Sequence, residues 1–98
     1  MNDLHRLPSY TLVISCPDKV GIVAAVAQFV AQRSGSLLES NHHTDVEQGW
    51  FYMRNVISAE SLAVGLAQFR EEFAPLGQEF DMQWHVRDNA DLQRVVVM

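Results

Sequence analysis

The chain is 98 residues long, 48% hydrophobic, and carries a formal charge of −5 from twelve acidic and seven basic side chains. That length holds one hydrophobic core, and the acidic balance opposes the counterion release that drives nucleic-acid binding, so no nucleic-acid partner is expected. A single cysteine excludes an internal disulfide, no apolar run reaches the ~18 residues of a membrane span, and no signal-like segment opens the chain, so the expected setting is cytoplasmic with no membrane contact.

Residues 1–8 are polar, end at Pro8 and read as a flexible terminus. Tyr10 to Cys16 is a short run enriched in β-branched residues and stopped by Pro17, which cannot donate to a ladder, so it reads as a first strand. Asp18 is placed to cap the helix that follows, in which Ile22, Val23, Val26, Phe29 and Val30 recur on one side. Gly35, after Arg33 and Ser34, suits the left-handed residue that closes such a helix.

Ser36 to Asp45 reads as a second strand with Leu37 and Leu38 at its apolar end, and Glu47-Gln48-Gly49 as a hairpin turn into a third, Trp50 to Ile57. The third strand carries Trp50, Tyr52 and Val56 on one face and Phe51, Met53 and Ile57 on the other, as a central strand does. Ser58 or Ser61 is placed to cap a second helix through Leu62, Leu66, Phe69 and Phe73, with Pro75 and Gly77 as its stop. Phe80, Met82, Trp84 and Val86 then alternate with polar residues, the pattern of a strand wet on one side, with Trp84 in the core.

The order βαββαβ predicts an α+β ferredoxin-like sandwich, a four-stranded antiparallel sheet in the order 4-1-3-2 with two helices on one face. Residues 9–87 form that domain. Residues 88–98 read as a linker through Asp88-Asn89-Ala90-Asp91, then an apolar run, Val95-Val96-Val97-Met98, expected to open a second domain that is cut short.

Several side chains invite a chemical reading. His42 and His43 are adjacent on a strand, so they point to opposite faces and do not chelate one metal ion. His43 and Asp45 share a face as a structural or interface pair, and without a nucleophile beside them they are not a catalytic fragment. Cys16, before a helix start, reads as a small buried residue rather than an activated thiolate. Gly21 either lets a ligand approach the backbone or lets helix and strand pack closely. Trp50, Tyr52 and Arg54 are interface candidates: on the face away from the helices the aromatics form a patch suited to a second domain or subunit, and Arg54 is placed to stack on them or to pair with an acid.

Cys16-Pro17-Asp18-Lys19-Val20-Gly21-Ile22-Val23, His43-x-Asp45, Gly49-Trp50-Phe51-Tyr52-Met53-Arg54 and Phe80-x-Met82-x-Trp84 together resemble the amino-terminal ACT domain of formyltetrahydrofolate deformylases. The resemblance implies a parent enzyme that hydrolyses a tetrahydrofolate derivative, 10-formyltetrahydrofolate, to formate and tetrahydrofolate, with its catalytic residues in a C-terminal formyl-transferase-like domain. It implies no catalysis and no cofactor in residues 9–87. ACT domains bind amino acids between paired domains beside the first loop and helix, which carries over here to Asp18, Lys19, Val20 and Gly21, with Ser36 and Asn41 as polar contacts. Many relatives have Asn where this chain has Ser36, whose hydroxyl makes fewer simultaneous bonds. Glycine and methionine, both close to one-carbon metabolism, are the effector candidates, and a homo-oligomer is expected. The alternative is a free-standing ACT regulator similar to those of the glycine-cleavage system. An RNA-binding module shares the βαββαβ order, but Trp50 to Arg54 lacks the glycine and basic pattern of base-stacking strands.

Overall fold

The computed structural model describes residues 8–89, and the expectations for residues 1–7 and 90–98 lie outside the described residues. Six elements follow in chain order: β1 (Ser9–Pro17), α1 (Ile22–Gln32), β2 (Leu37–Asp45), β3 (Trp50–Ser58), α2 (Leu66–Glu79) and β4 (Gln83–Asp88). The strands form one antiparallel sheet in the order β2-β3-β1-β4, the predicted order read from its other edge.

Alternation along the strands divides the sheet into two unlike faces. Leu12, Ile14 and Cys16 of β1, Phe51, Met53 and Ile57 of β3, and Val86 of β4 are buried, and they meet Ile22, Val26, Phe29 and Val30 of α1 and Phe69 and Phe73 of α2. Burial of each large side chain contributes roughly 1.5–3 kcal/mol. Phe29 meets Phe69 and Phe73 edge-on at 5.2 and 5.1 Å between centroids, and Phe73 meets Trp84 at 4.7 Å, so one aromatic cluster joins both helices to β4. Arg33 lies over Phe29, 3.6 Å from the ring centroid, and donates from Nε to Glu72 at 2.6 Å, tying the end of α1 to α2.

The helix boundaries differ from the sequence expectation for local reasons. No side chain caps α1; its N-cap is Gly21, and Asp18 instead donates its backbone N–H to the Gly49 carbonyl. Ser34, not Gly35, takes the left-handed conformation after α1, at φ 64°. Gly35 is needed for space: a Cβ there would lie 2.5 Å from Val30 Cγ1 and 2.9 Å from Leu62 Cδ2. Neither Ser58 nor Ser61 caps α2, which starts at Leu66; the Ser61 hydroxyl donates to the Ser58 carbonyl and accepts the Ser36 N–H, bracing the preceding loop.

Pro75 and Gly77 also lie inside α2 instead of ending it. Glu71, whose carbonyl loses its helical donor to the Pro75 ring, is exposed together with Pro75, so the break falls on the solvent side of the helix. Gly77 is buried under Trp84, whose Nε1 would stand 2.5 Å from an added Cβ. Phe80 therefore caps α2 rather than opening β4, and the strand begins at Gln83.

Beyond β4, Asn89 accepts from Thr11 Oγ1 at 2.9 Å and donates to Ser9 Oγ at 2.8 Å, so the end of the described chain is bonded to the start of β1. In mid-sheet, Asn55 is fully buried; its Oδ1 accepts from Ser40 Oγ at 2.7 Å while its Nδ2 has no hydrogen-bond partner among the described residues. No described helix is long and apolar enough to cross a membrane.

Candidate ligand cleft

The β1–α1 loop crosses the end of the sheet where Pro17, Trp50 and Asp45 lie side by side. It is held there by the bond from the Asp18 N–H to the Gly49 carbonyl at 2.9 Å. Gly49 itself, at φ 67°, closes the β2–β3 turn by donating its N–H to the Asp45 carbonyl, while Asp45 Oδ1 accepts from the Gln48 N–H. Gly21 follows at φ 94°, a left-handed conformation that a side chain adopts only at a cost. A Cβ at Gly21 would meet nothing within 4 Å, so the glycine serves the turn and not close helix–strand packing.

This turn opens a cleft of about 530 Å³ beside the start of α1. Asp18, Lys19 and Gly21 form one wall and the first turn of α1, Ile22 to Ala24, the next; His42 and Thr44 of β2, with Phe51, close it. The first intrahelical bond runs from the Ala25 N–H to the Gly21 carbonyl, so the amides of Ile22, Val23 and Ala24 have no partner within the helix. No acidic residue lies in the first turn and no side chain caps it, so the positive end of the helix faces the cleft with Asp18 of the preceding loop beside it. The chemistry on offer is an anion site next to a carboxylate, over an aromatic floor.

Three of the four loop residues expected at an effector site, Asp18, Lys19 and Gly21, line this cleft. Val20 is fully exposed at the loop tip and is not among its walls. Ser36 lies at the opposite end of the sheet, its N–H held by Ser61 and its carbonyl by the Ser58 N–H, some 25 Å away along a strand rising roughly 3.3 Å per residue. Asn41 pairs with Arg54 on the face turned away from α1. His42 and Thr44 take their place, because β2 residues opposite Met53 and Phe51 point to the helix side. Val23, expected in the core, is 37% exposed and turned to the cleft.

The other singled-out residues separate cleanly. His42 and His43 do point to opposite faces, one tilted against Phe51 and one stacked on Tyr52. His43 and Asp45 share a face but engage other groups: His43 stacks on the Tyr52 ring and Asp45 accepts from the Gln48 N–H. Cys16 is buried and its thiol pKa is raised, first by burial and then by Asp18, with Lys19 opposing, so it is not an activated thiolate. Trp50, Tyr52 and Arg54 lie on the face without helices; Arg54 pairs with Glu39 on the neighbouring strand, Nη1 to Oε1 at 3.4 Å, rather than stacking on the aromatics.

No protein-family profile matches the chain. It is 33% identical over 87 residues to the formyltetrahydrofolate deformylase of Bacillus subtilis, a match covering 88% of this chain and 29% of that protein. Its fold superimposes on a crystal structure of a formyltetrahydrofolate deformylase from Pseudomonas syringae with a TM-score of 0.84 and 46% identity, over 86% of this chain and 28% of that one. An ACT domain protein from Streptococcus pneumoniae shares the fold at 21% identity and a TM-score of 0.74, over 88% of this chain and 94% of that one. The chain thus spans under a third of the length of these deformylases and nearly all of the ACT protein. It is an ACT-like domain, corresponding to the amino-terminal part of formyltetrahydrofolate deformylases.

Proposed function

We propose that this domain is the amino-acid-sensing and assembly module of a formyltetrahydrofolate deformylase, the hydrolase that releases formate from 10-formyltetrahydrofolate in one-carbon metabolism. Catalysis belongs to the C-terminal domain of that enzyme, and this domain adjusts it. The observation that carries the reading is the cleft at the uncapped start of α1. An α-amino acid carries both charges on adjacent atoms, and the cleft offers Asp18 to the ammonium and the amides of Ile22 to Ala24, with Lys19, to the carboxylate.

A helix terminus stabilises a carboxylate by only about 0.3–1 kcal/mol, or near 2 when partly buried, which is less than a ~30-fold effect on affinity. The cleft is also open on one side, so tight binding requires a second subunit to close it, and the reading therefore includes a homodimer. The likeness at 46% identity favours the deformylase over the free-standing regulator.

Calorimetric titration of the chain with glycine and with methionine, alongside sedimentation over a concentration series, tests the proposal. Saturable heat with one of them, lost in Lys19→Ala, is the expected result. No heat and no thermal shift at millimolar ligand removes sensing and leaves assembly to stand on the sedimentation result. Hydrolysis of 10-formyltetrahydrofolate by the full-length protein tests the parentage.

A further inference from the structure

On the face of the sheet away from the helices, the register sets His43, Tyr52, Ser15 and Gln83 in one row across four strands. The His43 and Tyr52 rings are stacked, 5.0 Å between centroids and 24° between planes. That separation equals one strand spacing of ~4.8 Å, so the stack runs across the strands, and the far face of Tyr52 looks over Ser15. The next ring position in the stack is therefore occupied by a hydroxymethyl group.

From Tyr52 to Gln83 is two strand spacings, about 9–10 Å, and a ring stacked at van der Waals distance needs roughly 7 Å of that. The row alongside is Asn41, Arg54, Val13 and His85. A shallow cavity of about 410 Å³ lies over these two rows, lined by Val13, Ser15, Asn41, His43, Tyr52 and Arg54 among others. Tyr52 is 38% exposed, and the Arg54 side chain is 53% exposed with its ion pair to Glu39 stretched to 3.4 Å.

We propose that this slot binds a flat aromatic ring bearing a carboxylate, as a small molecule and at a site separate from the cleft beside α1. The ring lies over Ser15 and extends the His43–Tyr52 stack, with Val13 as apolar floor. The carboxylate reaches Arg54, and the Asn41 amide lies beside it. The carboxylate is assigned to Arg54 by geometry: Arg54 is half exposed at the edge of the cavity and its ion pair to Glu39 is long at 3.4 Å, so an incoming carboxylate competes with Glu39 for the guanidinium, with Arg87 on the same face. Stacking supplies most of the affinity and Arg54 the preference for acid over amide, since an exposed ion pair is worth little by itself.

The probe is 4-aminobenzoylglutamate, chosen for its ring and carboxylates; only that choice leans on the deformylase reading, and binding to the 98-residue chain is read without any enzyme activity. Titration followed by amide chemical shifts is expected to move Val13, Ser15, Asn41, Tyr52 and Arg54. Tyr52→Ala weakens binding roughly tenfold, and Arg54→Gln about threefold. Ser15→Phe fills the slot with the chain's own ring and abolishes the shifts, with an unchanged circular dichroism spectrum showing that it is folded. The proposal is overturned by an absence of shifts at millimolar probe, by the same shifts with glutamate alone, by shifts confined to Asp18 through Ala24, or by a folded Ser15→Phe that binds like the parent. Shifts at Tyr52 and Ser15 that follow protein concentration without probe overturn it too, by assigning the slot to a second copy of the chain.

Discussion

The two faces of this sheet come from the same strands, residue by residue, yet they do different work. On the helix side Leu12, Ile14, Phe51, Met53 and Ile57 are sealed by Phe69, Phe73 and the apolar stripe of α1. On the other side Val13, Ser15, Tyr52 and Arg54 alternate with them, and among the described residues they meet neighbours within the sheet and no helix. The contrast teaches that one strand can seal a core with one parity and leave the other parity open. Substitutions on the sealed face should then lower the melting point far more than substitutions on the open one.

Phe73→Ala is expected to break the comparison most visibly. Phe73 is fully buried and touches Phe29, Phe69 and Trp84, so denaturant unfolding should show a loss of about 3–5 kcal/mol. Tyr52→Ala, on the exposed face of β3, should cost less than about 1 kcal/mol in the same assay. Equal losses would refute the division of labour. Gly77→Ala comes next: the new methyl must displace the Trp84 indole, and overpacking of this kind costs about 1–3 kcal/mol, readable as a lower denaturation midpoint.

Asn55 sharpens the comparison, being a polar residue on the apolar face. Ser40→Ala leaves a fully buried amide without its hydroxyl partner and should cost about 1–3 kcal/mol, whereas the double variant with Asn55→Leu, which removes both polar groups, should recover most of that loss. A double variant no better than the single one would mean that Asn55 is held by something other than Ser40.

The smallest effect concerns Cys16. Burial raises its thiol pKa, so the folded state disfavours the thiolate. The sign follows: this contribution to stability is complete below the unfolded thiol's pKa and is lost as pH rises through the higher folded value. A disulfide reagent at neutral pH should therefore react slowly with the folded chain and fast in denaturant. Rapid native labelling would show a far looser β1–α1 junction.

Much of this architecture was legible in the letters. Alternation at Trp50 to Ile57 marked a central strand, and the spacing of Ile22, Val26, Phe29 and Val30 marked the buried side of α1. What was not legible depended on partners distant in sequence. Gly35 and Gly77 looked like helix punctuation because nothing nearby reveals that Val30, Leu62 and Trp84 will press against them. Pro75 looked like a stop because its cost depends on whether the carbonyl behind it faces water. The cleft was half readable: the loop with Asp18, Lys19 and Gly21 announced itself, but choosing His42 and Thr44 over Asn41 and Ser36 required the register of β2 against β3. A single step along β2 exchanges the two faces.

The bonds from Asn89 to Ser9 and Thr11 have a mechanical consequence. They place the start of β1 and the end of β4 at one corner, on adjacent antiparallel strands. Tension applied between those two points loads the ladder like a zipper, one rung after another, instead of shearing all rungs together. Under such a load the β4 edge is expected to come away first.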